Sequence, residues 1–227
     1  MMNIIVSGAS KGIGYEVALQ AAESGHNVLA IARNAELLDL LVAKNELITA
    51  LEVDLIKEEC AQSIINWTNK VGKIDGLINN AGQLINKSFI ETTVGDFKDQ
   101  FNANIITAVK LTQAVIPFMN KATHIVNISS MGGFQGSSKY PGLSAYSASK
   151  GGLSVLTECL AEELKEYGIS VNALALGAVQ TEMLENAFPG YNAPVSAEEM
   201  ASYILDFTSK GHRFYNGQIL PVAIGNP

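Results

Sequence analysis

The stretch Ser7-Gly8-Ala9-Ser10-Lys11-Gly12-Ile13-Gly14 directly follows the apolar run Ile4-Ile5-Val6 near the start of the chain. An apolar strand, a glycine-rich turn and a helix start, in this order, predict the first βα unit of a dinucleotide-binding fold. We expect Gly8 to allow the tight turn, Gly12 to let the backbone approach a pyrophosphate, and Gly14 to let the helix pack close to the strand. The N-terminus of that helix would offer N–H groups to the phosphates.

Outward from this turn, strand-like runs alternate with helical patterns, which predicts an α/β fold of parallel strands and crossover helices. No linker, repeat or low-complexity tract interrupts the 227 residues, so we expect one domain over 1–227. The predicted strands are 3–6, 27–32, 48–53, 76–79, 124–128, 170–175 and 218–222. The predicted helices are 13–24, 35–44, 57–71, 94–119, 145–167 and 197–209.

Composition and charge argue against several classes of protein. The net charge is −7 and no basic run is present, so a nucleic-acid partner is not expected. No apolar stretch is long enough to span a membrane, and the first residues form a strand rather than a signal peptide. Cys60 and Cys159 are expected to be reduced thiols of a cytoplasmic protein. The three histidines show no ligand spacing, so no metal site is expected.

Tyr146 and Lys150 begin a long helical pattern and stand four residues apart, which places them on one helix face. A nearby ammonium favours the phenolate, so we expect Lys150 to lower the pKa of Tyr146. Such a tyrosine could exchange a proton closer to neutral pH. Combined with the dinucleotide turn, this pair indicates hydride transfer to or from a carbonyl group.

Four further motifs carry a resemblance to a known family. The turn has the spacing Gly-x-x-x-Gly-x-Gly, and Asn79-Asn80-Ala81-Gly82 follows the fourth predicted strand. Asn104 lies in a helical stretch, and Asn127-Ile128-Ser129-Ser130 ends the fifth strand. Together with Tyr-x-x-x-Lys, these motifs resemble the short-chain dehydrogenase/reductase family along nearly the whole chain. The fold this implies is a doubly wound, Rossmann-type domain, with a parallel seven-stranded sheet in the order 3-2-1-4-5-6-7 and helices on both faces.

The resemblance implies roles for four catalytic residues. Tyr146 would be the general acid when a ketone is reduced and the base in the reverse direction. Lys150 would lower the pKa of Tyr146 and bind the nicotinamide ribose, and Ser130 would hydrogen-bond the substrate oxygen. Asn104 would hold a water molecule that extends a proton relay from Lys150.

The basic residues near the turn favour NADP(H) as the cofactor. The second predicted strand ends in Ala32 and is followed by Arg33, and Lys11 lies in the glycine turn. Two cations and no carboxylate suit a 2′-phosphate, and in the family such a pair implies NADP(H); the alternative is that both are solvated. Asp54 would contact the adenine or cap a loop. The cofactor contacts implied by the resemblance are Gly8, Ser10, Lys11, Gly12, Ile13, Gly14, Arg33, Asp54, Leu55, Asn80, Ala81, Gly82, Tyr146, Lys150, Gly177, Val179 and Thr181.

The chain departs from the family pattern at three places. The stretch from Ser130 to Tyr146 is a few residues longer, which leaves Ser129, Ser137 and Ser138 as other candidates for the catalytic serine. Leu176-Gly177 replaces a Pro-Gly pair. The segment 182–196 is short for a substrate loop, so the pocket would be open or completed by a partner subunit.

The function expected is an NADP(H)-dependent oxidoreductase acting on a small-molecule carbonyl/alcohol pair. The 3-oxoacyl-thioester reductases and general carbonyl reductases look most similar, and nothing in the sequence selects between them. An acyl carrier protein would need a basic patch near the pocket mouth, for which Lys87, Lys98, Lys139 and Arg213 are scattered candidates. The alternatives are a non-catalytic NADP(H)-binding sensor or scaffold, and an extended-branch dehydratase or epimerase, for which the chain is too short. In this family, helices matching 94–119 and 145–167 form the main dimer contact, so we expect a homodimer or homotetramer.

Overall fold

The computed structural model describes residues 1–57 and 60–224, which form a seven-stranded parallel sheet with helices on both faces. The order β3-β2-β1-β4-β5-β6-β9 confirms the predicted doubly wound topology, with β9 as the seventh strand. Two further strands, β7 and β8, pair only with each other. The strands are β1 Asn3–Ser7, β2 Asn27–Ala32, β3 Ile48–Glu52, β4 Gly76–Asn79, β5 Thr123–Ser130, β6 Ile169–Leu176, β7 Val179–Gln180, β8 Val195–Ser196 and β9 Ile219–Val222.

Within the residues that the structure describes, eight α-helices connect the strands. They are α1 Gly12–Glu23, α2 Ala35–Val42, α3 Ala61–Val71, α4 Val94–Phe101, α5 Thr107–Val115, α6 Ser144–Glu163, α7 Glu182–Ala187 and α8 Ala197–Lys210. The predicted helix 57–71 includes residues 58 and 59, which lie outside the described residues, as do 225–227 of the predicted domain. None of the helices within 1–57 and 60–224 is both long and apolar enough to cross a bilayer.

The strands are buried on both faces because helices cover each side of the sheet. Ile4 and Val6 of β1 pack with α1, α2 and α8, while Ile5 between them packs with α3 and α5 on the opposite face. This alternation follows from the two-residue period of a strand. Because both faces of the sheet are covered by helices, β1 is a continuous run of apolar residues rather than an alternation of apolar and polar ones.

The predicted helix 94–119 is wrong in one respect, because it is not one regular helix. A π-helical turn, Asn102–Ile106, joins α4 to α5, and a 3₁₀ turn at Ile116–Phe118 follows α5. A π turn accommodates one extra residue within a helix and is often found at functional sites. Here it contains Asn104, one of the predicted catalytic residues.

Parallel register brings the carboxyl ends of the strands to one edge of the sheet. Ser130 at the end of β5 is paired with Leu176 of β6, and Asn79 of β4 with Asn127 of β5. Strand order reverses between β1 and β4, which is where ligands bind in open α/β sheets. The predicted site residues follow these strand ends.

Candidate active site

The turn between β1 and α1 is packed too tightly for side chains at two of its glycines. A Cβ on Gly8 would lie 2.9 Å from the Cα of Ala81, and a Cβ on Gly14 only 2.4 Å from the carbonyl oxygen of Gly8. Asn80 secures the approach, since its Nδ2 donates to the Ser7 and Gly8 carbonyl oxygens at 3.1 and 3.3 Å. The close packing of turn, helix and fourth strand therefore requires glycine.

Gly12 has a different role, because a Cβ there would clash with nothing. Its φ of +58° is a conformation that favours glycine, and a Cβ would be in ordinary van der Waals contact with Thr181, 3.5 Å from Cγ2. Thr181 itself begins α7, and its Oγ1 accepts a hydrogen bond from the Leu184 N–H at 3.3 Å. Backbone on one side and a capped helix start on the other thus form the two walls of a groove.

One end of this groove lies beyond β2 and β3. Arg33 and Asp54 both line it, as does Asn34, whose Oδ1 caps α2 by accepting from Leu37 N–H at 2.9 Å. Asp54 also caps its own loop, since its Oδ1 accepts from Ile56 N–H at 3.0 Å. The Asp54 carboxylate therefore caps the loop, one of the two roles expected from the sequence, and also lines the groove.

Lys11 does not extend freely into the groove. Its Nζ lies 2.8 Å from Oε1 of Glu182, and both side chains are more than half exposed. The sequence analysis did not identify Glu182 as a site residue. No local signal could have revealed it, because 171 residues separate the two partners.

At the other end of the groove, α6 presents Tyr146 and Lys150. Lys150 Nζ donates to the carbonyl oxygen of Ile128 at 2.7 Å and lies 5.9 Å from the centre of the Tyr146 ring. Ser130 hydrogen-bonds the Tyr146 hydroxyl, and its Oγ accepts from Gly132 N–H at 3.2 Å. The end of β5 and the first turns of α6 thus bring a serine, a tyrosine and a lysine together.

The expectation that Lys150 lowers the pKa of Tyr146 is wrong in this structure. Burial of the phenol raises the pKa of Tyr146, and the hydrogen bond from Ser130 only partly opposes this. Burial also lowers the pKa of the Lys150 ammonium to about 8. Desolvation, which sequence spacing does not reveal, is the largest cause of both shifts.

The other candidate serines have other partners. Ser129 Oγ is buried on the opposite side of β5, where it donates to the Lys150 carbonyl oxygen at 3.0 Å. Ser137 Oγ donates to the Met131 carbonyl oxygen and receives a hydrogen bond from Lys139 Nζ at 2.6 Å. Ser138 is exposed and does not line the groove. Of the four candidates, only Ser130 both lines the groove and bonds Tyr146.

Asn104 is buried beneath the site and bonded on both sides of its amide. Its Oδ1 accepts from Gln83 N–H at 2.8 Å, and its Nδ2 donates to the Gln83 carbonyl oxygen at 3.0 Å and to Ser149 Oγ at 2.8 Å. Ser149 in turn donates to the Tyr146 carbonyl oxygen at 2.7 Å. The sequence analysis missed Ser149, although a hydroxyl between Tyr146 and Lys150 could have suggested it. A water held by Asn104 stays a prediction.

These elements enclose one cleft of about 1170 Å³. Gly14 and Asn104 support its walls from behind without lining it. The predicted residues that line it are Gly8, Ser10, Lys11, Gly12, Ile13, Arg33, Asp54, Leu55, Asn80, Ala81, Gly82, Ser130, Tyr146, Lys150, Gly177, Val179 and Thr181. In the described part of the chain, no three His, Cys, Asp or Glu side chains are grouped as metal ligands.

The chain is similar to known proteins over nearly its whole length. Residues 2–192 match the family described as short chain dehydrogenase. The 3-oxoacyl-[acyl-carrier-protein] reductase FabG of Thermotoga maritima is 31% identical over 97% of this chain and 96% of its own length.

Two solved structures share the fold. The 3-ketoacyl-(acyl-carrier-protein) reductase from Brucella melitensis, complexed with NADH, has a TM-score of 0.87 at 23% identity, covering 98% of this chain and 96% of that one. A short chain dehydrogenase from Burkholderia cenocepacia, in complex with NADP, also has a TM-score of 0.87, at 25% identity and the same coverage. The two neighbours hold different nicotinamide cofactors, so likeness alone does not choose between them.

Proposed function

Since this chain belongs to the short-chain dehydrogenase family and is an oxidoreductase of carbonyl and alcohol groups, we propose that NADP(H) is its cofactor and Tyr146 its general acid and base. The observation that carries the proposal is the convergence of Ser130, Tyr146 and Lys150 at one end of a cleft whose other end begins at the glycine turn. The match of residues 2–192 to the family model confirms the resemblance stated from the sequence motifs, at the level of the family.

The turn fits a dinucleotide. Side chains are excluded at Gly8 and Gly14 by contacts of 2.9 and 2.4 Å, and Gly12 leaves bare backbone facing Thr181. The first N–H groups of α1 would bind the pyrophosphate there, because a helix N-terminus attracts anions. Lys11 and Arg33 would bind the 2′-phosphate, and β2 ends in Ala32 rather than in a carboxylate that would repel it.

The bound nicotinamide would supply a hydride to a carbonyl carbon or accept one from an alcohol. As C=O becomes CH–OH, Tyr146 donates its hydroxyl proton to the oxygen, and it takes a proton back in the reverse reaction. Ser130 bonds the Tyr146 hydroxyl and would donate to the same substrate oxygen as charge develops on it. A raised pKa keeps the proton on Tyr146 at neutral pH, which suits reduction.

Lys150 holds its ammonium close to these groups. Its hydrogen bond to the Ile128 carbonyl oxygen fixes Nζ at the end of β5. Gly82 leaves room for Asn104 beside it, since a Cβ on Gly82 would lie 2.7 Å from Asn104 Oδ1. With a pKa of about 8, the ammonium is retained at neutral pH and lost at higher pH. We therefore assign it to the nicotinamide ribose.

The test measures NADPH and NADH binding by cofactor fluorescence and turnover on a panel of aldehydes and ketones. Tyr146→Phe should bind NADPH normally and lose about 10²- to 10⁴-fold in kcat, the usual contribution of general acid catalysis. Arg33→Ala should weaken NADPH binding and leave NADH binding unchanged. Tyr167→Phe is the matched control, because Tyr167 is an exposed residue in the 3₁₀ turn after α6 and does not line the cleft.

Other outcomes would contradict the proposal in separate ways. Binding of NADPH without turnover of any carbonyl would favour the non-catalytic sensor or scaffold. Tighter binding of NADH than of NADPH would contradict the cofactor assignment and leave the catalytic assignment intact.

We also propose that the protein is a homodimer or homotetramer. Phe101, Ile106 and Val155 are exposed apolar residues on α4, the π turn and α6, the helices expected to form the dimer contact. Light scattering at micromolar concentration should give twice or four times the 24.2 kDa chain mass. A monomeric mass there would contradict this part of the proposal.

A further inference from the structure

The cleft has a second, apolar part next to Tyr146. Tyr140, Met183, Phe188 and Tyr191 line it, and we call these four residues the apolar rim. Three of them, Tyr140, Met183 and Tyr191, are exposed large side chains, at 40–49%. Exposed apolar side chains gathered around one cleft mark a binding surface.

Hydrogen bonds place the apolar rim at the catalytic end of the cleft. Asn86 Nδ2 donates to the carbonyl oxygen of Ala187, at the end of α7, with a distance of 2.8 Å. Lys87 N–H donates to the Gly142 carbonyl oxygen at 3.0 Å, between Tyr140 and the start of α6. Residues 86 and 87 thus join both segments of the rim, and the second segment leads directly into Tyr146.

Charged side chains in the cleft lie elsewhere or are already paired. Arg33 and Asp54 follow β2 and β3, on the opposite side of β1 from β5 and Ser130. Lys11 is paired with Glu182 at 2.8 Å. Lys150, the remaining charged residue of the described lining, donates to Ile128 inside the site.

The lysines near the rim also have internal partners. Lys87 Nζ lies 3.0 Å from Oδ2 of Asp96, which in turn caps α4. Lys139 Nζ donates to the Phe134 carbonyl oxygen at 2.7 Å. Lys139 does not line the cleft, so a carboxylate or phosphate buried in the cleft beside the rim would lose its hydration and gain no unpaired cation of the described lining there, which is costly.

We infer that the substrate is an uncharged carbonyl compound with an apolar body, taken up free rather than attached to an anionic carrier. The inference rests on the proposed function. The carbonyl oxygen would meet Ser130 and Tyr146, and the apolar body would bury the four rim side chains. The apolar rim is thus the part of the site that determines specificity.

The test uses two aldehydes that differ only at the far end, nonanal and 9-oxononanoate, with NADPH and the full chain. The wild type should show a kcat/KM for nonanal about tenfold or more above that for the carboxylate, a typical discrimination for one substituent. Equal or better use of 9-oxononanoate would overturn the inference and leave the oxidoreductase proposal standing. Turnover of neither aldehyde, with NADPH bound, would overturn the inference, while the panel of aldehydes and ketones tests the oxidoreductase proposal separately.

A charge placed in the rim provides an independent check. Met183→Lys should raise the kcat/KM ratio of 9-oxononanoate to nonanal by about tenfold, because the carboxylate then gains a partner. Leu40→Lys adds the same charge at an exposed position of α2 outside the cleft and should leave the ratio unchanged. An unchanged ratio in Met183→Lys, or an equal change in Leu40→Lys, would overturn the role given to the rim.

Discussion

We call the buried residues that line or support the cleft its inner wall. They differ from the apolar rim in how tightly their side chains are held. On the inner wall, Asn104, Ser149 and Lys150 are buried, and each has a protein partner within 3.0 Å. At the rim, Tyr140 and Tyr191 are 44% and 49% exposed. The side chains of the inner wall are fixed because each hydrogen bond holds a residue that makes the next one. The exposed side chains of the rim can be substituted without breaking such contacts. Chemistry is therefore fixed in one region and substrate choice in the other.

The largest effect expected on the inner wall comes from Gly14→Ala. In an ordinary helix this change stabilises by up to about 1 kcal/mol. Here the new Cβ would meet the Gly8 carbonyl oxygen at 2.4 Å and Asn80 Nδ2 at 2.5 Å, so we expect a loss of at least about 3 kcal/mol in the free energy of unfolding.

Chemical denaturation measures this loss. The control is Gly151→Ala within α6, where the nearest atom to a new Cβ is 3.5 Å away and stability should hold or rise. Equal effects of the two substitutions would show that the tight turn is less constrained than its contacts indicate.

A comparable effect is expected from pH at the opposite edge of the sheet, where His124 is also buried with every polar atom paired. Its Nδ1 donates to the Thr208 carbonyl oxygen at 3.1 Å and its Nε2 accepts from Asn172 Nδ2 at 2.9 Å. Burial lowers the pKa of His124 to about 4, from 6.5. Below pH 6.5 the unfolded chain binds the proton first, so stability is full above pH 6.5 and falls by about 3 kcal/mol as pH drops to 4.

Denaturation midpoints between pH 4 and 8 measure this decline. His212, 5.9 Å away by ring centres, also has a pKa lowered by burial and adds to it in the same direction. His124→Asn, which can keep a donor near Thr208 but does not titrate, should flatten the profile. A wild-type stability that stays level down to pH 4 would show that His124 accepts a proton without loss of its contacts.

A smaller effect is expected from Ser149→Ala, which leaves Asn104 Nδ2 without its 2.8 Å acceptor. An unsatisfied buried donor costs about 1–3 kcal/mol, so we expect a loss near the lower end of that range together with a lower kcat. NADPH affinity should be unchanged, because Ser149 does not line the cleft.

Ser137→Ala tests the same change in the loop that leads to the rim. Ser137 is only partly buried, and water can replace its hydroxyl. The free energy of unfolding and the activation free energy derived from kcat should each change by no more than about 0.5 kcal/mol. If Ser137→Ala costs as much as Ser149→Ala, the distinction between the two regions fails.

The smallest effect concerns Glu182→Gln, which releases Lys11 at the mouth of the cleft. Exposed ion pairs contribute about 0–1 kcal/mol, so NADPH should bind up to about fivefold more tightly, with NADH unchanged. Glu185→Gln removes the same charge from α7 without touching Lys11 and is the control. Titrations at low and high salt should show the gain only at low salt. A gain for NADH of the same size would show that Lys11 does not distinguish the two cofactors.

The same comparison explains which features could be predicted from the sequence and which could not. Strand order, the glycine turn and the grouping of Ser130, Tyr146 and Lys150 were predictable because close packing permits few residue types at each position. The pKa of Tyr146 was not, since it depends on burial by residues distant in the chain. The Lys11–Glu182 pair was also beyond reach, because exposed contacts leave no spacing pattern.

The π turn at Asn102–Ile106 has a consequence for the angular register of the helix that contains it. Each residue of an α-helix rotates the next by about 100°. Removing one residue from this turn would restore a regular helix, but it would also rotate Leu111 and Val115, now fully buried, away from the sheet or else turn Asn104 away from Gln83. The extra residue therefore lets one continuous helix aim its first half at the site and its second half at the core.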